Sequence, residues 1–237
     1  MQKTLNLSPN FSRKKRLKSD IKFVIIHYTG MQSEIASINR LLNIKSKVSC
    51  HYLINRKGKI LQMVYDHNIA WHAGKSRWKN FKDLNKNSIG IELVNKGHKF
   101  GYENFPNLQI NSLINLCKFL KRKYKIKKEN FLGHSDIAPL RKNDPGEKFP
   151  WKKMSKYNLG KWYKLNGNYD DFNKSFLRNE FFFNLKKIGY RYFDINKKGK
   201  LDKFIITAFQ QRYFPSKVSG IIDKKTLKIC QFLAKNS

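Results

Sequence analysis

Phe23-Val24-Ile25-Ile26-His27 and Ile89-Gly90-Ile91-Glu92-Leu93-Val94 are the two stretches on which the fold turns. Both are short and rich in β-branched residues, and Thr29-Gly30 breaks the first. Side chains alternate across a pleat, so Ile89, Ile91 and Leu93 share one face of the second strand and Glu92 takes the other. Between and beyond these strands the period changes. Residues 33–42 read as a helix that Ser33 caps, with Ile35, Ile38, Leu41 and Leu42 at helical spacing. Tyr52-Leu53-Ile54 and Ile60-Leu61-Gln62-Met63-Val64 flank Asn55-Arg56-Lys57-Gly58, the pattern of a hairpin. Ile110, Leu113, Ile114, Cys117 and Leu120 mark a second helix over 110–124, and Asn130-Phe131-Leu132 leads, extended, into Gly133-His134. Strands interleaved with helices predict an α/β domain.

Outward from this frame, residues 1–21 read as a polar, basic N-terminal arm and 66–87 as a long loop of the kind that binds something. Residues 137–150, with Pro139, Pro145 and Pro150, also read as loop. Composition shifts after Tyr163. The expected organisation is an arm at 1–21, a catalytic domain at 22–163, a linker at 164–171 and a small helical domain at 172–237. Three helical patterns, near 172–188, 200–213 and 223–235, would make it a three-helix bundle, with Asp223 capping the last helix.

A chain of 237 residues has room for one ordinary domain and a small one. Its 18 Phe and 11 Tyr help supply enough apolar side chain to offset the entropy of folding, which excludes wholesale disorder. The net charge of +34 favours polyanions, but lysines recur from Lys3 to Lys235 rather than in one patch, as on a solvated surface. Cys50, Cys117 and Cys230 are odd in number and far apart, which argues against a disulfide framework or a thiolate metal cluster. No apolar run approaches the roughly 20 residues of a membrane span. The basic Arg13-Lys14-Lys15-Arg16 has no apolar signal segment near it.

His27 and Glu92 fall at or near strand ends, where α/β sheets commonly build sites. His134 follows another extended segment, and Asp144 lies ten residues later in a proline-bounded loop. Two imidazoles and a carboxylate suit a catalytic zinc ion, because three protein ligands leave a fourth tetrahedral position for water. Pro145 biases Asp144 toward an extended backbone. Side chains two apart then share a face, so Lys142 would enter the same cavity and stabilise an oxyanion. Glu92, the only acid in its apolar strand, is costly to keep without a partner and is the candidate general base and acid. Singly, each has an ordinary alternative: a packed histidine, a glutamate paired with arginine, one lysine among many.

Together these residues resemble the amidase-2 family of N-acetylmuramoyl-L-alanine amidases (the AmiD and AmpD types). Four blocks carry the resemblance. The first two are Val24-Ile25-Ile26-His27-Tyr28-Thr29 and Val48-Ser49-Cys50-His51-Tyr52-Leu53-Ile54. The third is Ala70-Trp71-His72-Ala73-Gly74 with Asn87-Ser88-Ile89-Gly90-Ile91-Glu92-Leu93. The fourth is Gly133-His134-Ser135-Asp136-Ile137-Ala138-Pro139 with Arg141-Lys142-Asn143-Asp144-Pro145-Gly146. The resemblance implies a mixed central β-sheet flanked by helices, one catalytic Zn2+ on His27, His134 and Asp144, and catalysis by Glu92 and Lys142. It also implies a substrate groove bordered by His51, Tyr52, Trp71, His72 and Ala73, with Arg141 meeting a substrate carboxylate. Non-catalytic recognition relatives usually lose a zinc ligand, so retention of all three implies an enzyme. The C-terminal part resembles the peptidoglycan-binding three-helix domain of two-domain members through Leu185, Ile188-Gly189-Tyr190, Ala208-Phe209-Gln210-Gln211-Arg212-Tyr213 and Gly220-Ile221-Ile222-Asp223 with Thr226.

The expectation is a bacterial, zinc-dependent amidase that cuts between the muramic lactyl group and L-Ala of peptidoglycan or anhydro-muropeptides. Stem-peptide carboxylates would suit its basic surface. One rival is a binder of wall fragments that does not cut them. Another is a nucleic-acid-binding protein, which the charge suggests but no reading motif supports. The expected location is the periplasm, cell wall or exterior by a route without a standard signal peptide, or alternatively the cytoplasm.

Overall fold

The computed structural model describes residues 3–165 and 177–236. Its strands are β1 (Thr4–Leu5), β2 (Phe11–Ser12), β3 (Phe23–Tyr28), β4 (Tyr52–Ile54), β5 (Ile60–Gln62), β6 (Ile69–Ala70), β7 (Arg77–Trp78), β8 (Phe81–Lys82), β9 (Ser88–Leu93) and β10 (Phe131–Gly133). The α-helices are α1 (Glu34–Leu42), α2 (Asn107–Tyr124), α3 (His134–Ile137), α4 (Trp151–Ser155), α5 (Leu177–Ile188), α6 (Asp202–Tyr213) and α7 (Lys224–Lys235).

Six strands form a mixed sheet in the order β1-β5-β4-β9-β3-β10. Parallel β4, β9, β3 and β10 make one side of it, with β10 at the edge, and the turn at 55–58 reverses β5 against β4. β3 and β9 pair from Phe23↔Ser88 to Tyr28↔Leu93, which sets His27 beside Glu92. The pleat sorts their side chains. Val24, Ile26, Ile89, Ile91 and Leu93 bury against Ile110, Leu113, Ile114, Cys117 and Leu120, the apolar stripe of α2. Gln109 on α2 donates to the carbonyls of Ile54 (2.9 Å) and Val94 (3.1 Å), satisfying two strand-end acceptors away from water.

The opposite face carries Phe23, Ile25 and Leu132, which share one core with Phe181, Phe182, Leu185 and Phe209. The helices α5, α6 and α7 therefore serve as the sheet's second covering layer. The segment expected as a small helical domain packs on the sheet through this shared core. Apolar spacing reveals a buried face but not what buries it. Asp223 caps α7 as expected, accepting from Thr226 N–H at 2.7 Å. The expected linker at 164–171 lies outside the described residues apart from Lys164 and Leu165, as does the start of the helical domain.

Two segments differ from expectation. The N-terminal stretch is built in: β1 pairs with β5, β2 pairs with β6, and Arg16 is buried. The Arg16 guanidinium donates to the carbonyls of Asp66, Asn85, Lys86 and Ser88 at 2.6–3.1 Å. Backbone pairing and a cation gathering carbonyls leave no apolar period to read. The stretch at 66–87 holds β6, the β7–β8 hairpin and Trp78, whose ring packs on Tyr190. Gly189 (φ +141) makes that approach possible, since a Cβ there would lie 2.5 Å from the Trp78 ring. Among the described residues, no helix is long and apolar enough to cross a membrane.

Candidate active site

His27 is the penultimate residue of β3, His134 opens α3 directly after β10, and Asp144 sits on the following loop. Because β10 lies next to β3, the topology brings the two imidazoles together. His27 Nδ1, His134 Nδ1 and Asp144 Oδ2 form a triangle with edges of 2.9, 3.0 and 3.1 Å, all three residues being buried.

The surrounding hydrogen bonds assign the tautomers. Ser88 Oγ donates to the Leu84 carbonyl (2.6 Å), so it accepts from His72 Nε2 (3.2 Å). His72 Nδ1 is then the lone pair that accepts from His27 Nε2 at 3.0 Å. His134 Nε2 donates to the Ala73 carbonyl at 3.1 Å. The Arg141 guanidinium donates to that same oxygen, which brings its Nη2 to 3.3 Å from His134 Nε2. Each ring thus uses Nε2 to hold its orientation and turns Nδ1 toward Asp144.

Burial, and then the neighbouring His134, lower the His27 pKa to about 4 against the pull of Asp144, so the ring stays neutral at neutral pH. Burial would lift the Asp144 carboxyl, but His134 and then His27 outweigh it and hold the group well below the usual carboxylate range. Two imidazole nitrogens and a carboxylate oxygen thus converge within 3.1 Å of one another. Such a donor set can hold a metal ion. Tetrahedral ligands about 2.0–2.1 Å from zinc stand roughly 3.3–3.4 Å apart, a few tenths of an ångström wider than this triangle. A small outward shift seats the ion.

Glu92 is half-buried, and its Oε2 has no hydrogen-bond partner among the described residues. Burial, followed by the Asp144 charge, pushes its carboxyl up to about 8 against the opposing pull of Lys142 and Arg40. The triad, Glu92 and Lys142 all line one cavity of about 670 Å³. Trp71, Tyr28 and Phe100 contribute to its walls, and Arg40, Lys99 and Arg141 add positive charge.

The remaining expected groove residues separate. Trp71 and Arg141 line the cavity, although three of Arg141's hydrogen bonds go to the carbonyls of Ala73 and Lys75. His51, Tyr52 and Ala73 are buried and do not border it. His51 accepts the Gly90 N–H at Nδ1 (3.0 Å) and lies against Arg16 on its other side (2.8 Å). Tyr52 points to the α2 face and bonds Asp66. His72 reaches the cavity, but both ring nitrogens are engaged by His27 and Ser88. Trp71-His72-Ala73 therefore braces the two imidazoles, one through a side chain and the other through a carbonyl. Asn85 Oδ1 holds this segment by accepting from His72 N (3.1 Å) and Ala73 N (2.7 Å).

Sequence reasoning missed Ser88, Asn85 and Gly90, which hold His72 in place. Gly90 alone carried a signal, since glycine inside a strand often marks a close approach. A Cβ at Gly90 would lie 2.3 Å from His72 Cγ. Gly90→Ala is therefore expected to destabilise the protein by roughly 1–3 kcal/mol, as overpacking does in a pinned core. A thermal melt within 1 °C of wild type would refute this tight seating.

The family model Amidase_2, described as N-acetylmuramoyl-L-alanine amidase, matches residues 17–147. The chain is 40% identical over 156 residues to N-acetylmuramoyl-L-alanine amidase AmiD of Escherichia coli K12, a match covering 60% of this chain and 55% of that sequence. It thus spans little more than half of the AmiD sequence. It is 32% identical over 169 residues to 1,6-anhydro-N-acetylmuramyl-L-alanine amidase AmpD of Haemophilus influenzae, covering 62% and 86%. The solved complex of E. coli AmiD with anhydro-N-acetylmuramic acid-L-Ala-D-gamma-Glu-L-Lys matches with a TM-score of 0.80 and 31% identity over 92% of this chain and 90% of that one. AmpDh3 of Pseudomonas aeruginosa with anhydromuramic pentapeptide matches at 0.81 and 29% identity, covering 95% and 94%. Likeness at that coverage takes in the helical bundle as well as the sheet.

Proposed function

Since the chain belongs to the amidase-2 family of N-acetylmuramoyl-L-alanine amidases, we propose that it is a zinc-dependent amidase cutting the bond between the muramic lactyl carbonyl and the nitrogen of L-Ala. The observation that carries this reading is the convergence of three buried metal-ligating side chains, His27, His134 and Asp144, in a basic cavity. Zinc held there supplies Lewis acidity and brings the pKa of water to about 7.

The chain's own residues do the rest. Glu92 takes a proton from the attacking water and returns it to the departing amine nitrogen as the carbon–nitrogen bond breaks. Its raised pKa suits both halves of that transfer. Lys142 places an ammonium beside the oxygen of the tetrahedral intermediate. His72 and the Ala73 carbonyl fix the orientation of His27 and His134. Arg40 and Lys99 meet stem-peptide carboxylates, and Trp71 forms a wall of the groove. A wall-binding role for the C-terminal bundle rests on its resemblance to peptidoglycan-binding domains.

The test incubates the protein with intact sacculi and, separately, with anhydro-muropeptides, with and without chelator, and weighs the products. Free stem peptides beginning at L-Ala, lost on chelation, are expected. Muropeptides that are bound but left whole would favour the recognition protein instead. The preferred substrate also bears on location, since sacculi lie in the envelope whereas anhydro-muropeptides are its soluble fragments.

A further inference from the structure

His134 sits at the start of a single helical turn, and what anchors that turn comes from the far end of the chain. Asp136 lies two residues after His134 and is 1% exposed. Its Oδ2 accepts the Gly133 N–H at 2.8 Å, tying the turn to the end of β10. The same carboxylate receives Arg212 from α6 on Oδ2 and the Tyr190 hydroxyl on Oδ1. Arg212, 2% exposed, also donates to the Phe131 carbonyl on β10 at 2.9 Å and lies 3.9 Å over the Trp151 ring. One guanidinium from the bundle thus grips both the strand before His134 and the turn that carries it.

A buried ion pair of this kind is a poor source of stability, because desolvation of both charges offsets most of the attraction. What it supplies is geometry. The guanidinium fork fixes two acceptors at once, and Tyr190 takes the lone pair that would let Asp136 rotate. A wall-binding module on a flexible tether would need none of these contacts.

We propose that the C-terminal bundle is a working part of the catalytic centre, with Arg212 and Tyr190 acting through Asp136 as positioning residues for His134. The inference rests on the reading of His134 as a zinc ligand. Loosening the turn lets His134 Nδ1 leave the triangle, so metal affinity falls before any substrate contact is lost.

The experiment uses the full chain and compares wild type with Tyr190→Phe, Arg212→Lys, Arg212→Met and Leu227→Ala. Leu227, on α7, is buried in the same core but has no polar group to offer Asp136, and it serves as the control for simple loss of stability. Zinc affinity is read by competition with a chromophoric chelator, ligand geometry by the visible spectrum of the cobalt-substituted protein, and folding by thermal melting. Tyr190→Phe and Arg212→Lys should weaken zinc binding by about 10-fold or more, the scale of changes behind metal ligands, and alter the cobalt spectrum. They should lower kcat on a soluble muropeptide with KM little changed. Leu227→Ala should melt earlier and bind zinc as wild type does. If the Tyr190 and Arg212 variants melt earlier yet keep zinc affinity and spectrum, the bundle is only scaffolding and the inference falls. Equal weakening in Leu227→Ala overturns it as well. A wild-type chain that binds no zinc overturns the amidase reading itself, a distinguishable result. Should Arg212→Met fail to fold, Tyr190→Phe, which removes one hydroxyl, still decides.

Discussion

Glu92→Gln is expected to lower kcat by roughly 10²–10⁴-fold, the range for loss of a positioned acid–base group. Glutamine keeps the shape of the side chain and its place in β9, but it cannot take a proton from water or return one to the leaving amine. Zinc affinity should be nearly unchanged, because Glu92 is not among the three converging acceptors. Stability should move the other way. In the metal-free chain the Glu92 carboxyl is pushed from 4.5 up to about 8, chiefly by burial. The folded state therefore binds this proton more tightly than the unfolded state does, and metal-free wild type loses stability as pH rises from about 4.5 to about 8. The glutamine variant lacks that component, so the gap in melting temperature should widen in its favour across this window. Activity within 10-fold of wild type would remove Glu92 from the reaction. A gap that closes as pH rises would contradict its burial as a lone carboxyl.

Asp144→Asn separates metal binding from folding. Two imidazole Nδ1 atoms and a carboxylate oxygen crowd together here, and a cation among them relieves the repulsion of their lone pairs. An asparagine amide carries N–H donors that can turn toward His27 and His134 at the separations of 2.9 and 3.1 Å that the carboxylate now occupies. Zinc affinity should then fall by more than about 100-fold, the upper end of what changes behind the ligands produce. Hydrolysis should go with it. In the presence of chelator the variant should be more stable than wild type by about 1–3 kcal/mol, as unsatisfied buried acceptors gain partners. In excess zinc the order should reverse, because only wild type gains stability from the bound ion. A variant that melts below metal-free wild type would mean that the carboxylate is already satisfied without a cation.

Much of the site was legible before any fold was known. A histidine at the end of an apolar strand, an acid isolated on one face of another, and an aspartate before proline each carry chemistry that local structure can justify. His27, Glu92, His134, Lys142 and Asp144 do share one cavity. The expected groove residues divide between those that line the cavity and those buried behind it, for a physical reason. His51, His72 and Ala73 look the same in sequence whether they face a substrate or stand behind a ligand. Only the depth of burial and the direction of each ring nitrogen tell these apart.

The sequence by itself determined strands β3, β4, β5, β9 and β10, the α2 stripe and the chemical identity of the site, because period, β-branching and side-chain type act over a few neighbouring residues. Tertiary structure alone decided that Arg16 is buried, that Gly90 must lack a side chain for His72 to fit, and that Arg212 closes on Asp136. Those facts depend on pairings between residues distant in the chain. No local pattern encodes which buried charge will meet which carbonyl, since the energy that selects them appears only once the sheet and the bundle share a core.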